Sequence, residues 1–546
     1  MPARPGSLVF LILPVLLFAA GAARAQDQHQ HAGAPPADVG SVRFENSCAP
    51  DVQERIGRAV ALLHSFWYEA VDREFREVAT ADPSCAIAWW GVAMAQWQPL
   101  WEVRGPGREA LARGREAVAK GLALSSGTPR ERAYLAALEK FYGEYETRDH
   151  TDRVLAYEGA MTALHAVHPK ETEAAVFHAL ALLSAAVSLP PDKTYARQKR
   201  AGALLQPVFR AQPDHPGVAH YLIHAYDYPA LAAGALDAAR RYARLAPDSP
   251  HALHMPSHIF TRLGLWEDSI ASNRTVVEAA RKHSVPGEQL HGSDYLVFAH
   301  LQRGEDEVAR QVIDAAPAIA DVPKDHVMYF AGLYATASMP ARYAVERRKW
   351  AEAAALPEPA GFPGGRYAWA DAAVYFARAL GAARTGDVKQ ARGDVETLAR
   401  LRQTLADLRE DYWAGQVEVQ RTAAEAWLLF AEGKRDEALA RMRTAADLED
   451  KTDKHPVTPG QIVPARDLLA QMLLELRQPA EALAEFERVL SAEPNRFGAL
   501  YGAARAAELA GRKPRARELY TALVKLAPDS ERPEVRHARS IIGGKP

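Results

Sequence analysis

The sequence predicts an all-α protein, a solenoid of helical hairpins stacked along the chain. Three observations lead there. The chain is rich in Ala, Leu, Arg and Glu, with apolar residues at helical spacing between short breaks, and no alternating strand pattern competes. A 34-residue step recurs: Ala482, Phe486 and Pro494 return as Ala516, Tyr520 and Pro528, and Pro213 returns as Pro247. At 546 residues the chain also exceeds what one ordinary core requires, so several domains or a repeat array is expected.

The repeating residues have a packing logic. A small residue lets the second helix of a hairpin approach the first, an aromatic fills the gap, and Pro ends the helix because it cannot continue it. Val71, Phe75, Val78 and Pro83 show the same spacing near the start. This pattern resembles the tetratricopeptide repeat (TPR) consensus, which implies a right-handed TPR-like superhelical solenoid. The strings LHSFWYEAV (63–71), DPSCAIAWWG (82–91), HYLIHAYD (220–227) and HMPSHIFTRLG (254–264) are similar to those of a bacterial family of exported TPR proteins. That resemblance implies fold and export but no activity.

Taken in order, residues 1–25 read as a signal peptide. Arg4 supplies the positive start, Leu8 to Ala20 is apolar apart from Pro14, and Ala23-Arg24-Ala25 has the form of a cleavage site. The apolar run is too short to span a membrane and no later segment is long enough, so a soluble periplasmic or secreted protein is expected. Residues 26–43 read as a flexible leader with a His29-x-His31 tract. An N-terminal TPR-like array follows at 44–320. An irregular hairpin and linker occupy 321–365, where Pro-rich stretches weaken the repeat. A second array spans 366–530 and a tail 531–546. Cys48 and Cys85 are the only cysteines. They precede two helices one repeat apart, and in an oxidising compartment they read as a disulfide, with two free thiols as the alternative.

The formal net charge of −2 offers no global field for nucleic acid. No P-loop, Gly-x-Ser-x-Gly, HExxH, Cys-x-x-Cys-His or dinucleotide fingerprint is present. Histidines carry the remaining signal. In TPR proteins, positions 2, 5, 9, 12 and 13 of each first helix line the concave face. Starting those helices at Pro216 and Pro250 puts His220 and His254 at position 5 and His224 and His258 at position 9. His251 takes position 2 and Asp227 position 12. Aligning the turn glycines Gly264 and Gly304 adds His291 and Asp294 on the next helix. Residues at i and i+4 share a helix face, and neighbouring helices pack about 8–10 Å apart. His220, His224, His254 and His258 are therefore expected to converge on one ion, as imidazole with carboxylate suits zinc, iron, copper, nickel or manganese. Two alternatives stay open: a metal-free contact with a peptide, protein or small ligand in the groove, and structural hydrogen bonding. Trp90, Met94, Trp97 and His64, with Trp67, Trp89 and Trp101 nearby, read either as an aromatic ligand wall or as packing between hairpins. His455, in EDKTDKHPVTPG (449–460), sits in a loop shaped by Pro456 and Pro459. The sequence thus supports a binding scaffold with a His-rich metal site. A metal-dependent enzyme is the competing reading.

Overall fold

The computed structural model describes Met1 and residues 39–543, apart from 41, 101–104, 248, 320, 323, 325–327, 360 and 362–364. The proposed signal peptide, His29, His31 and Trp101 lie outside the described residues. Among those described, the chain is helical from Gln53 to Gly543, with short turns between helices and no strand. Each helix packs mainly on its neighbours in sequence, as an array of hairpins requires.

The repeat residues do the packing the sequence assigns them. Val71, Phe75 and Val78 are buried, as are Ala482, Phe486, Ala516 and Tyr520. Cys85 sits at the N-terminus of the helix Ala86–Gln96 and is disulfide-bonded to Cys48, with Cα atoms 4.8 Å apart.

Three segments differ from expectation. The end of the leader is packed, with Val39 and Val42 buried beside Phe44 at the N-terminal edge of the core. The Pro-rich SMPARY stretch lies inside an eighteen-residue helix, Tyr329–Glu346. There tertiary packing around buried Ser338, Met339 and Arg342 outweighs the helix-breaking tendency of Pro340. The tail contains the helix Pro533–Gly543, whose buried Val535 and Ala538 cap the last hairpin.

The array does not stay open. Its C-terminal hairpins fold back on its middle. The Trp266 indole donates to Asn495 O at 2.9 Å, and Phe497 N donates to Gln302 Oε1 at 2.9 Å. The two turn glycines allow this approach. A Cβ on Gly264 (φ +64°) would lie 2.1 Å from Pro494 O, and one on Gly304 (φ +67°) 2.4 Å from Ser530 Oγ.

Candidate metal centre

Local signals set the two helices that carry the histidine pairs. Pro216 and Pro250 each open a helix, where a missing N–H costs nothing. The residue before each Pro caps it: the His215 ring accepts from Val218 N, and Ser249 Oγ, one repeat on, accepts from Ala252 N.

The six histidines form two triads rather than one site. His220 Nε2 lies 3.1 Å from His224 Nε2 and 3.1 Å from His251 Nε2. His254 Nε2 lies 3.0 Å from His258 Nε2, and His291 completes that group. Within each triad the ligand-type atoms lie within 4.8 Å of one another. The rule is the same twice: positions 5 and 9 of one helix meet position 2 of the next first helix. His251, three residues before His254 on the same stretch of chain, therefore serves the earlier triad. That is why four histidines do not converge alone.

Hydrogen bonds behind the rings fix their tautomers. His220 Nδ1–H donates to the His64 carbonyl at 2.6 Å. His258 Nδ1–H donates to Asp227 Oδ2 at 2.9 Å. His254 Nδ1–H donates to Asn273 Oδ1 at 2.9 Å, because the amide NH₂ of Asn273 is committed to Ser269 O. In all three rings the lone pair is left on Nε2, the atom that faces the triad. Such outer partners orient metal-binding imidazoles. His254 and His258 thus point two lone pairs at each other across 3.0 Å in a buried setting, an arrangement that a shared proton or metal ion would relieve.

The surroundings keep the rings neutral. Burial, reinforced by neighbouring imidazoles, holds His220, His251, His254 and His291 well below the ordinary imidazole range. The triads also sense each other, since charge on His258 or His291 disfavours charge on His251. Phe66 covers the first triad, its ring 4.5 Å from that of His220 and stacked on His251 at 5.6 Å. His224 is the partly exposed member.

The carboxylates stand behind the rings. Asp227 accepts the His258 Nδ1–H hydrogen bond and pairs with Arg262 Nε at 2.8 Å, with Lys454 Nζ at 3.5 Å. Burial raises the carboxyl of Asp227, but Lys454, Arg262 and His258 outweigh it and hold it well below its usual range. Asp294 accepts from Ser338 Oγ at 3.1 Å, with Arg342 Nε 3.6 Å away. Asp294 is not among the grouped ligand atoms of either triad.

Trp90, Met94 and Trp97 are fully buried. Trp97 stacks on Phe141 at 3.9 Å, and Trp90 packs among Phe44, Phe75, Tyr134 and Phe177. Their burial supports the packing reading. His64 belongs to a separate buried cluster, in which Glu173 is shared by His64 Nε2 at 2.9 Å and His215 Nε2 at 2.6 Å. Sequence reasoning missed Glu173, His215, Asn273 and Glu288. Only His215 left a signal, one residue before a helix-opening Pro.

The loop carrying His455 lies across the second triad. Tyr295, whose ring is 4.6 Å from that of His254, donates its hydroxyl to Pro456 O at 3.0 Å. Arg342 donates to Gly460 O and Gln461 O, and His455 lies over Trp413 at 5.1 Å. The face expected to be an open groove is covered here by the chain itself.

Residues 473–541 match the family model for the tetratricopeptide repeat. With the stacked helical hairpins, this defines a TPR-type helical solenoid. No curated protein matches the sequence. Among solved structures, a chain of Naa15/Naa10 bound to HypK-THB is similar at 12% identity and a TM-score of 0.24, covering 90% of this chain and 73% of that one. A monomeric IFIT1 mutant with Gppp-AAAA is similar at 13% identity and a TM-score of 0.34, covering 85% and 95%. Among the described residues no helix is long and apolar enough to cross a membrane.

Proposed function

We propose that this chain is an exported TPR-like scaffold that holds transition-metal ions at the paired histidine triads. The observation that carries the reading is the His254–His258 contact, two lone pairs 3.0 Å apart with both Nδ1 protons committed elsewhere. Neutral imidazole is the form that binds metal, and burial favours it. The reading of residues 1–25 as a signal peptide supports export, and the Cys48–Cys85 bond suits an oxidising compartment. A groove-bound peptide, protein or small ligand is the weaker reading, because the loop at 450–464 covers the second triad. A metal-dependent enzyme remains the second reading, favoured by the three-nitrogen sets, which leave a coordination position for substrate.

Calorimetric titration of tag-free protein with zinc, copper and nickel tests the proposal. The double variant His224→Ala/His258→Ala removes one ligand from each triad. Binding should be lost while helicity is unchanged. Equal binding in both proteins, or none in either, would leave the histidines as structural groups.

A further inference from the structure

We infer that the two triads hold a pair of copper ions, one in each, bound as copper(I). This rests on the metal-site reading and goes further, to the number of ions and their identity.

The number follows from the register. His251 and His254 sit three residues apart, so their Cβ atoms are about 5–6 Å apart. Yet they turn to opposite triads, His251 to His220 and His254 to His258. Each triad is complete without borrowing a ring from the other. The pairs are also held from separate places: His64 O anchors the first, while Asn273 and Asp227 anchor the second. One shared ion would require these anchored rings to turn away from their partners.

The identity follows from the donor set. Each triad offers nitrogen only. Asp227 is committed to His258, Arg262 and Lys454, and Asp294, whose Oδ1 accepts from Ser338, belongs to neither ligand set. Glu288 lies 3.9 Å from His251 Nδ1, behind the ring. Manganese and other ions that prefer oxygen find no oxygen ligand in the set. Imidazole suits zinc, copper, iron and nickel, and copper binds most tightly in the divalent series. With no anion in contact, the charge of the ion stays uncompensated in a buried site. A single positive charge costs far less to bury than a double one. Copper(I) can be held by three nitrogens alone, whereas zinc in either triad would have to take a water as its fourth ligand.

The two triads are not equivalent. Asp227 stands directly behind His258, so an ion in the second triad has an anion one ring away. In the first triad the nearest carboxylate, Glu288, stands 3.9 Å from His251 Nδ1, beyond hydrogen-bond reach of the ring. The second triad should therefore hold its ion more tightly.

The test is an anaerobic titration of the full tag-free chain with copper(I) against a coloured copper(I) chelator. The wild type should withhold two ions per chain. His251→Gln and His291→Gln, which keep side-chain volume, should each withhold one, and His251→Gln should lose the weaker. Circular dichroism of both variants checks the fold, and a misfolded variant is replaced by His224→Gln or His258→Gln, one in each triad. Zinc pre-bound to the wild type should be displaced by equimolar copper(I). A single ion in the wild type, loss of both ions in one variant, or zinc that resists displacement would overturn the copper pair. Failure to bind any metal would instead overturn the metal-site reading itself.

Discussion

The helix Pro216–Tyr226 and the helix Phe497–Leu509 occupy the same place in their hairpins but use their inner faces differently. With Pro216 set on Phe497, His220 and His224 correspond to Tyr501 and Arg505. Tyr501 and Arg505 are partly exposed, and Arg505 pairs with Glu508 on its own helix at 2.6 Å. His220 is fully buried and has partners on two other segments: His64 and, through ring contact, Phe66 on one, and His251 on the other. The hairpin interiors are alike, as Phe486 and Tyr520 show in one region and Tyr221 and Tyr242 in the other. Hairpin packing thus specifies the fold and leaves the inner positions free. In the middle of the array those positions hold chemistry, and at the end they hold a solvated polar face.

The largest expected break in the middle region is at Glu173. This carboxylate is ionised between two buried imidazoles, so Glu173→Leu should cost about 3–5 kcal/mol by urea denaturation. Burial alone would raise its pKa, but His64 and His215 outweigh burial and hold it at about 2. The folded value lies below the unfolded one. Its stabilisation is thus complete above the unfolded value of about 4.5 and is lost as pH falls through about 2. The wild type should lose stability across that acid window, and Glu173→Leu should lose less.

Opening the Cys48–Cys85 bond by the double change to Ser should cost about 2–4 kcal/mol, because it frees a loop spanning 37 residues in the unfolded chain. The N-terminal hairpins should melt first, while the C-terminal hairpins keep their helicity. In the C-terminal array, Ala516→Leu should overpack the contact against the preceding helix and cost about 1–3 kcal/mol, read as a lower melting temperature. The smallest effect is expected at Arg505→Ala, within about 0.5 kcal/mol, with metal uptake unchanged. A larger loss there, or weaker metal binding, would erase the contrast between the two regions.

The comparison also explains what could be read from the sequence. Ala482, Phe486 and Pro494 were legible because hairpin packing is local and repeats. The turn glycines and the in-register histidines were legible for the same reason. The division into triads was not, because His251 turns back to the preceding hairpin while His254, one turn on, turns forward. Nor was the burial of the site. His64 reaches His220 across 156 residues and Lys454 reaches Asp227 across 227, distances that no periodic pattern encodes. The shared carboxylate Glu173 lies mid-chain in an apolar helix and gave no spacing signal.

X-ray absorption at the metal edge of copper-loaded, tag-free protein tests the central claim most directly. The account predicts a shell of imidazole nitrogens around each copper with no sulfur, and a copper edge height per chain that falls by half in His291→Gln. An oxygen-dominated or sulfur-containing shell, or an undiminished edge height per chain in the variant, would contradict it.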